Sequence, residues 1–151
     1  MYIQLQIAKK APLTMNTKTK TFLRHFDVTA TPSQVYTMWT TPAYHGAVTE
    51  SLVSIVPKKN GDIRLWNGIV TGNFVELVEN QRIVQTWRTI DFSHLEAPSI
   101  LILEFQKQLQ NCRIRIEHSE IPFLLYQQFE YAWEEFYIPR IIDFFLPERN
   151  L

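Results

Sequence analysis

Toward its C-terminal end, from Pro122 to Phe145, the sequence places Leu125, Phe129, Trp133, Tyr137, Ile141 and Phe145 at intervals of four, with Ala132 and Phe136 filling the same side. Gln127, Gln128, Glu130, Glu134 and Glu135 fall on the other side. This spacing predicts a long amphipathic helix with an unusually aromatic face. It constrains the fold more than any other feature, because so wide an apolar stripe needs a cover of matching length. Pro122 suits the first helical turn. Pro139 falls in the interior, where it removes one backbone hydrogen bond and costs about 3 kcal/mol if the helix stays straight, so a kink is expected there.

Upstream, the chain reads as strands and turns. The segment FLRHFDVTA (22–30) is strand-like and runs into Thr31-Pro32, a helix cap followed by proline at the first helical position. Val35, Tyr36 and Trp39 then recur at helical spacing, and Pro42 opens a second short helix. Residues 51–56 alternate as a strand, and Lys58-Lys59-Asn60-Gly61-Asp62 supplies a tight turn. Three or four more strands are expected, over 68–79, 82–91, 99–106 and 112–119, with Gly68 and Gly72 as bend points. In the last of these, Ile114 and Ile116 share one face while Arg113, Arg115 and Glu117 share the other, the pattern of a half-buried antiparallel strand.

A chain of 151 residues, 46% of them hydrophobic, fits one domain with one continuous core. The element order predicts an α+β helix-grip fold: a curved antiparallel sheet around the long C-terminal helix, with two short helices between the first and second strands. The domain is read as 21–151. Residues 1–20 are read as a weakly structured extension in which Ile3, Leu5 and Ile7 alternate with Gln4 and Gln6.

Little in the sequence asks for catalysis. His25, His45, His94 and His118 stand singly, with no metal-ligand spacing, so structural or surface roles are expected, His45 being placed to reach a pocket mouth. Glu134-Glu135 are the only adjacent carboxylates and lie on the polar side of the helix. Cys112, the sole cysteine, reads as a buried structural thiol. No cofactor, metal site or catalytic residue is expected. Five basic residues and no acid precede Phe26, while seven acids face two arginines from Glu117 onward, a polarity that argues against a nucleic-acid footprint. No apolar run reaches the ~18 residues of a membrane span, and cytoplasmic residence is expected.

Two residue sets remain as binding candidates. Trp39, Trp66, Phe74, Trp87, Phe105, Phe129, Trp133 and Phe136 are spread over every major element; they either fill the core or line a cavity for a small apolar ligand. If Trp87 points inward, Arg88 points outward, and Arg82, Arg88, Arg113 and Arg115 form either a solvated stripe or a docking surface for an acidic partner.

Several blocks resemble the C-terminal domain of the activator of heat-shock protein 90 ATPase, within the START-like (SRPBCC) superfamily that also holds the birch-pollen allergen and polyketide cyclases. The resemblance rests first on Gly68-x-x-x-Gly72-x-Phe74-x-Glu76-Leu77-Val78 running into Ile83-Val84-Gln85-Thr86-Trp87-Arg88. Ala30-Thr31-Pro32-Ser33-Gln34-Val35-Tyr36 upstream, and Ile121-Pro122 with Trp133-x-x-x-Tyr137-x-x-x-Ile141 downstream, complete it. Pro139 and the basic N-terminal segment depart from the pattern, and the N-terminal domain of the full co-chaperone has no counterpart in this sequence. The resemblance implies a non-enzymatic, co-chaperone-like module whose partner is a heat-shock protein 90 family chaperone. The competing expectation is a carrier or sensor of a small hydrophobic ligand held between sheet and helix.

Overall fold

The computed structural model describes residues 18–147. Most of the extension read at 1–20, including the alternating Ile3-Leu5-Ile7 stretch, lies outside the described residues, although Thr19 and Lys20 are paired with Pro122 and Ile121 in the sheet.

Seven strands form one antiparallel sheet in the order β1-β7-β6-β5-β4-β3-β2. They are β1 (Thr19–Val28), β2 (Ser54–Ile55), β3 (Asp62–Leu65), β4 (Val70–Val78), β5 (Arg82–Thr89), β6 (Ser99–Lys107) and β7 (Cys112–Pro122). Helices α1 (Pro32–Thr40) and α2 (Pro42–Thr49) lie between β1 and β2, as expected. Thr31 caps α1 in a reciprocal capping box with Gln34, which satisfies two otherwise orphaned backbone donors. The curved sheet and the long terminal helix confirm the helix-grip reading.

Two elements differ from expectation. The strand at 51–56 shrinks to Ser54–Ile55, and β3 pairs it across the Asn60-Gly61 turn. Only four residues long, β3 is too short to show a period in the sequence. The terminal helix also starts later than read. Pro122 ends β7, Phe123–Leu125 forms a 3₁₀ turn, and α3 begins at Tyr126. From there α3 (Tyr126–Tyr131), a π-helical turn (Ala132–Tyr137) and α4 (Ile138–Phe144) run on continuously.

The π turn explains how a four-residue repeat stays in register. Four residues carry a straight α-helix about 40° beyond a full turn, so three repeats would rotate the stripe by about 120°. A wider i→i+5 turn rotates less per residue and returns the stripe to the sheet. Phe129, Trp133, Tyr137 and Ile141 are all buried as a result. Pro139 follows directly, near the start of α4, where its missing N–H is tolerated. The expected interruption of the helix is therefore a π turn just ahead of the proline.

The core lies between the helix and the inward residues of all seven strands, with Val35, Met38 and Trp39 of α1 and Val48 of α2 packed into it. Gly72 allows β4 to approach β5: a Cβ there would stand 2.0 Å from the Thr86 carbonyl oxygen. Next to it, the pairing slips between Phe74 and Glu76, a bulge that bends the sheet.

Candidate functional site

The helix presents two different flanks to the rest of the domain. On one, its aromatic side chains are tied to the body by buried hydrogen bonds. Trp133 Nε1 lies 3.0 Å from His118 Nδ1, and His118 Nε2 lies 2.8 Å from Ser99 Oγ, which donates to the Trp87 carbonyl at 2.7 Å. Indole N–H can only donate, so His118 Nδ1 accepts and its Nε2–H donates to Ser99. His45 Nδ1 lies 2.8 Å from the Trp39 carbonyl and His45 Nε2 lies 2.7 Å from the Tyr137 hydroxyl. A carbonyl can only accept, so here Nδ1 carries the proton and Nε2 accepts from Tyr137.

Both imidazoles are fully buried and neutral. Burial pushes His45 down to about 4, against a smaller upward pull from the Trp39 carbonyl, and pushes His118 down to about 3. The Tyr137 hydroxyl is pushed well above its ordinary value by burial, with a hydrogen bond from Trp66 acting the other way. Trp39 Nε1 donates to Gln85 Oε1 at 2.8 Å in the same layer. His45 therefore sits in the core rather than at a pocket mouth. His25 and His94 are exposed, as expected of surface histidines. Burial raises the Cys112 thiol to about 11, leaving it a poor nucleophile.

On the other flank, a pocket of about 310 Å³ opens between the helix and the β4–β5 end of the sheet. This is at the small end of ligand-site volumes. Trp66, Trp87, Phe129, Trp133 and Phe136 line it, joined by Tyr137 and by Ile69, Val70, Thr89, Asp91, Gln128 and Ala132. Five of the eight aromatic candidates are thus brought together. Trp39 and Phe105 instead face a void of about 10 Å³ in the core, and Phe74 is packed with 1% exposure. Phe136 is the main correction to the expected core face: it is 39% exposed and edges the pocket, because the π turn rotates it away from the sheet.

Trp66 reaches the pocket through a strained turn. Trp66, Asn67 and Gly68 all have positive φ, at 54°, 59° and 89°. Left-handed backbone at a non-glycine residue costs on the order of 1–3 kcal/mol and persists only where surroundings enforce it. Asn67 does so: its side-chain oxygen accepts from Leu52 N at 2.8 Å while its own N–H donates to the Leu52 carbonyl at 3.0 Å. Sequence reasoning missed Thr89, Asp91, Gln128 and Ile69 as pocket residues. Gln128 falls on the polar side of the helical repeat, and the strand-end residues carry no periodic signal.

The arginine row is less basic than its sequence suggests. Arg113 pairs with Asp27 at 2.9 Å, and Arg115 with Glu104 and Glu117 at 3.2 and 3.0 Å. Arg82 lies 3.4 Å from Glu104 and has its Nε 3.1 Å from Glu76, a charge contact without hydrogen-bond alignment. Arg88 turns toward the 92–96 loop, donating to the Ser93 and Glu96 carbonyls and lying over the Phe92 ring. The row is thus largely compensated on the outer sheet face. Among the described residues, no cluster of three His, Cys, Asp or Glu could hold a metal ion, and no helix is long and apolar enough to cross a membrane.

This architecture is shared with known proteins. An HSP90 activator from Plasmodium falciparum superimposes with a TM-score of 0.76 at 18% identity, over 80% of this chain and 92% of that one. CalU16 from Micromonospora echinospora gives 0.71 at 14% identity, over 87% and 80%. The Aha1 dimer from Colwellia psychrerythraea gives 0.69 at 13%, over 83% and 96%. In sequence, the chain is 20% identical over 129 residues to the mouse activator of 90 kDa heat shock protein ATPase homolog 2; the match spans 83% of this chain but only 38% of the mouse protein. Residues 29–142, from the cap of α1 through most of α4, match the family model described as activator of Hsp90 ATPase homolog 1-like protein, and to that family this chain belongs.

Proposed function

We propose that the chain acts by binding, as a co-chaperone-like module that contacts an Hsp90-family chaperone, and that it performs no chemistry of its own. The family match over residues 29–142 carries this reading, since it takes in all the folded elements except β1 and the chain's end. The non-enzymatic part is supported by where the polar groups sit. The two buried histidines, His45 and His118, are sealed in the core with both ring nitrogens used, and burial keeps them neutral.

The proposed contact face is the outer sheet, where Glu104 stands between Arg82 and Arg115. Docking there exchanges existing ion pairs for new ones, so the salt dependence should be mild. A single interface of ~800 Å² per partner should give micromolar affinity. Calorimetry against the purified chaperone, with and without nucleotide, tests this. Saturable binding with a Kd below ~100 µM supports the reading; no heat and no shift at that concentration, from a folded protein, sinks it.

A second reading has its own support. The open aromatic pocket, with one wall held by the strained Trp66 turn, favours binding of a small apolar ligand. A neutral naphthalene-type probe should bind the native state saturably. Equal binding confined to partly unfolded protein would contradict it.

A further inference from the structure

The pocket is polarised from end to end. Phe129 and Tyr137 on the helix lie about two helical turns apart. At the Tyr137 end the walls are aromatic: Trp66 packs edge-on against Tyr137 with ring centroids 5.4 Å apart, and Phe136 stands beside them. The polar residues of the lining are Thr89, Asp91 and Gln128; Gln128 directly precedes Phe129, and Phe92, next to Asp91, packs on the Phe129 ring with centroids 5.9 Å apart, which puts this polar group toward the Phe129 end. Asp91 is the single charged residue of the lining, and no cation pairs with it among the described residues. Its backbone N–H donates to Thr89 Oγ1 at 3.3 Å, which holds the two side by side at the strand end. The neighbouring Arg88 is turned toward the Ser93 and Glu96 carbonyls. At the opposite end Arg140 lies over the Trp66 and Phe136 rings at 5.9 and 5.8 Å and donates to the Thr49 carbonyl at 3.1 Å. Arg140 also lies 3.7 Å from Glu50 and is not part of the lining, so a ligand meets aromatic walls at one end and an unpaired carboxylate at the other.

Resting on the apolar-ligand reading, we propose that the pocket takes a flat apolar molecule carrying a protonated amine, with the amine at Asp91 and the ring between Trp66, Phe136 and Phe129. The carboxylate favours a cation by charge and hydrogen bonding, and Thr89 and Gln128 supply further acceptors. A carboxylate on the same ring would meet Asp91 with like charge and have no basic group in the lining to offset it.

The test uses three matched probes, 2-naphthylmethylammonium, 2-naphthylmethanol and 2-naphthoate, titrated into the ¹⁵N-labelled protein at pH 7. The ammonium should bind at least about fivefold more tightly than the carboxylate, a gap appropriate to a solvent-exposed charge pair. Asp91→Asn should abolish that gap, and 0.5 M salt should narrow it. Phe136→Ser should weaken all three probes together, which places them in this pocket. Equal affinities for the three, or a preference that survives Asp91→Asn, would overturn the polarity while leaving the pocket standing. Failure of every probe to shift pocket residues at about 1 mM would overturn the ligand reading and this inference with it.

Discussion

The two flanks of the C-terminal helix are built from the same kinds of residue to opposite ends. On the sealed flank, Trp133 and Tyr137 each place a polar atom on a buried histidine, and the rings of Phe22, Trp39 and Trp87 close around them. On the open flank, Phe136 and Trp66 line a pocket, and among the described residues Phe136 has only Tyr131 as a ring partner. The difference lies in whether every surface of a ring is used. A fully surrounded ring contributes to stability, whereas a half-covered ring leaves apolar area for something else to cover. The π turn makes both flanks possible, since it holds Trp133 and Tyr137 inward while turning Phe136 out.

The largest effect should come from breaking the sealed flank. Trp133→Ala removes a ring 2% exposed and stacked at 4.9 Å on Tyr137, so it should cost ~3–5 kcal/mol in urea unfolding. A loss below about 1 kcal/mol would mean the helix does not organise the core.

Acid should attack the same flank next. His45 and His118 have folded-state values depressed below the ordinary 6.5, so below that pH the unfolded chain binds more protons than the folded one. Stability held at pH 7 is therefore lost as pH falls from 6.5 toward 4. The two groups together should remove about 3 kcal/mol between pH 6.5 and 5, measured by urea midpoints across that range. A flat profile over that interval would contradict the neutral, buried assignment of both imidazoles.

A smaller loss is expected from Tyr137→Phe. It leaves His45 Nε2 without its 2.7 Å donor but preserves the ring, so the cost should be ~1–3 kcal/mol. A loss below about 0.5 kcal/mol in urea unfolding would show that the tie contributes nothing to the sealed flank.

Much of the architecture was legible because it rests on period and punctuation. The four-residue aromatic repeat announced the helix, Thr31-Pro32 announced α1, and Ile114 and Ile116 announced the inner face of β7. What escaped depends on geometry that no period encodes. Pro122 looked like a helix start, yet β7 runs through it and a 3₁₀ turn intervenes. Phe136 looked like core because an α-helical wheel has no place for a π turn. His45 and His118 gave no signal of being core residues, since their partners lie 92 and 15 residues away along the chain. The arginines of β5 and β7 looked free because their carboxylate partners lie on neighbouring strands.

The division between a sealed flank that stabilises and an open flank that binds is tested most directly by one variant measured in two ways. Phe136→Ser should unfold within about 1 kcal/mol of the parent, because the ring is already 39% exposed. In the same preparation, affinity for the neutral 2-naphthylmethanol should fall at least about tenfold, since one wall of the pocket is gone. A variant destabilised like Trp133→Ala, or one that binds the probe as tightly as the parent, would contradict that division.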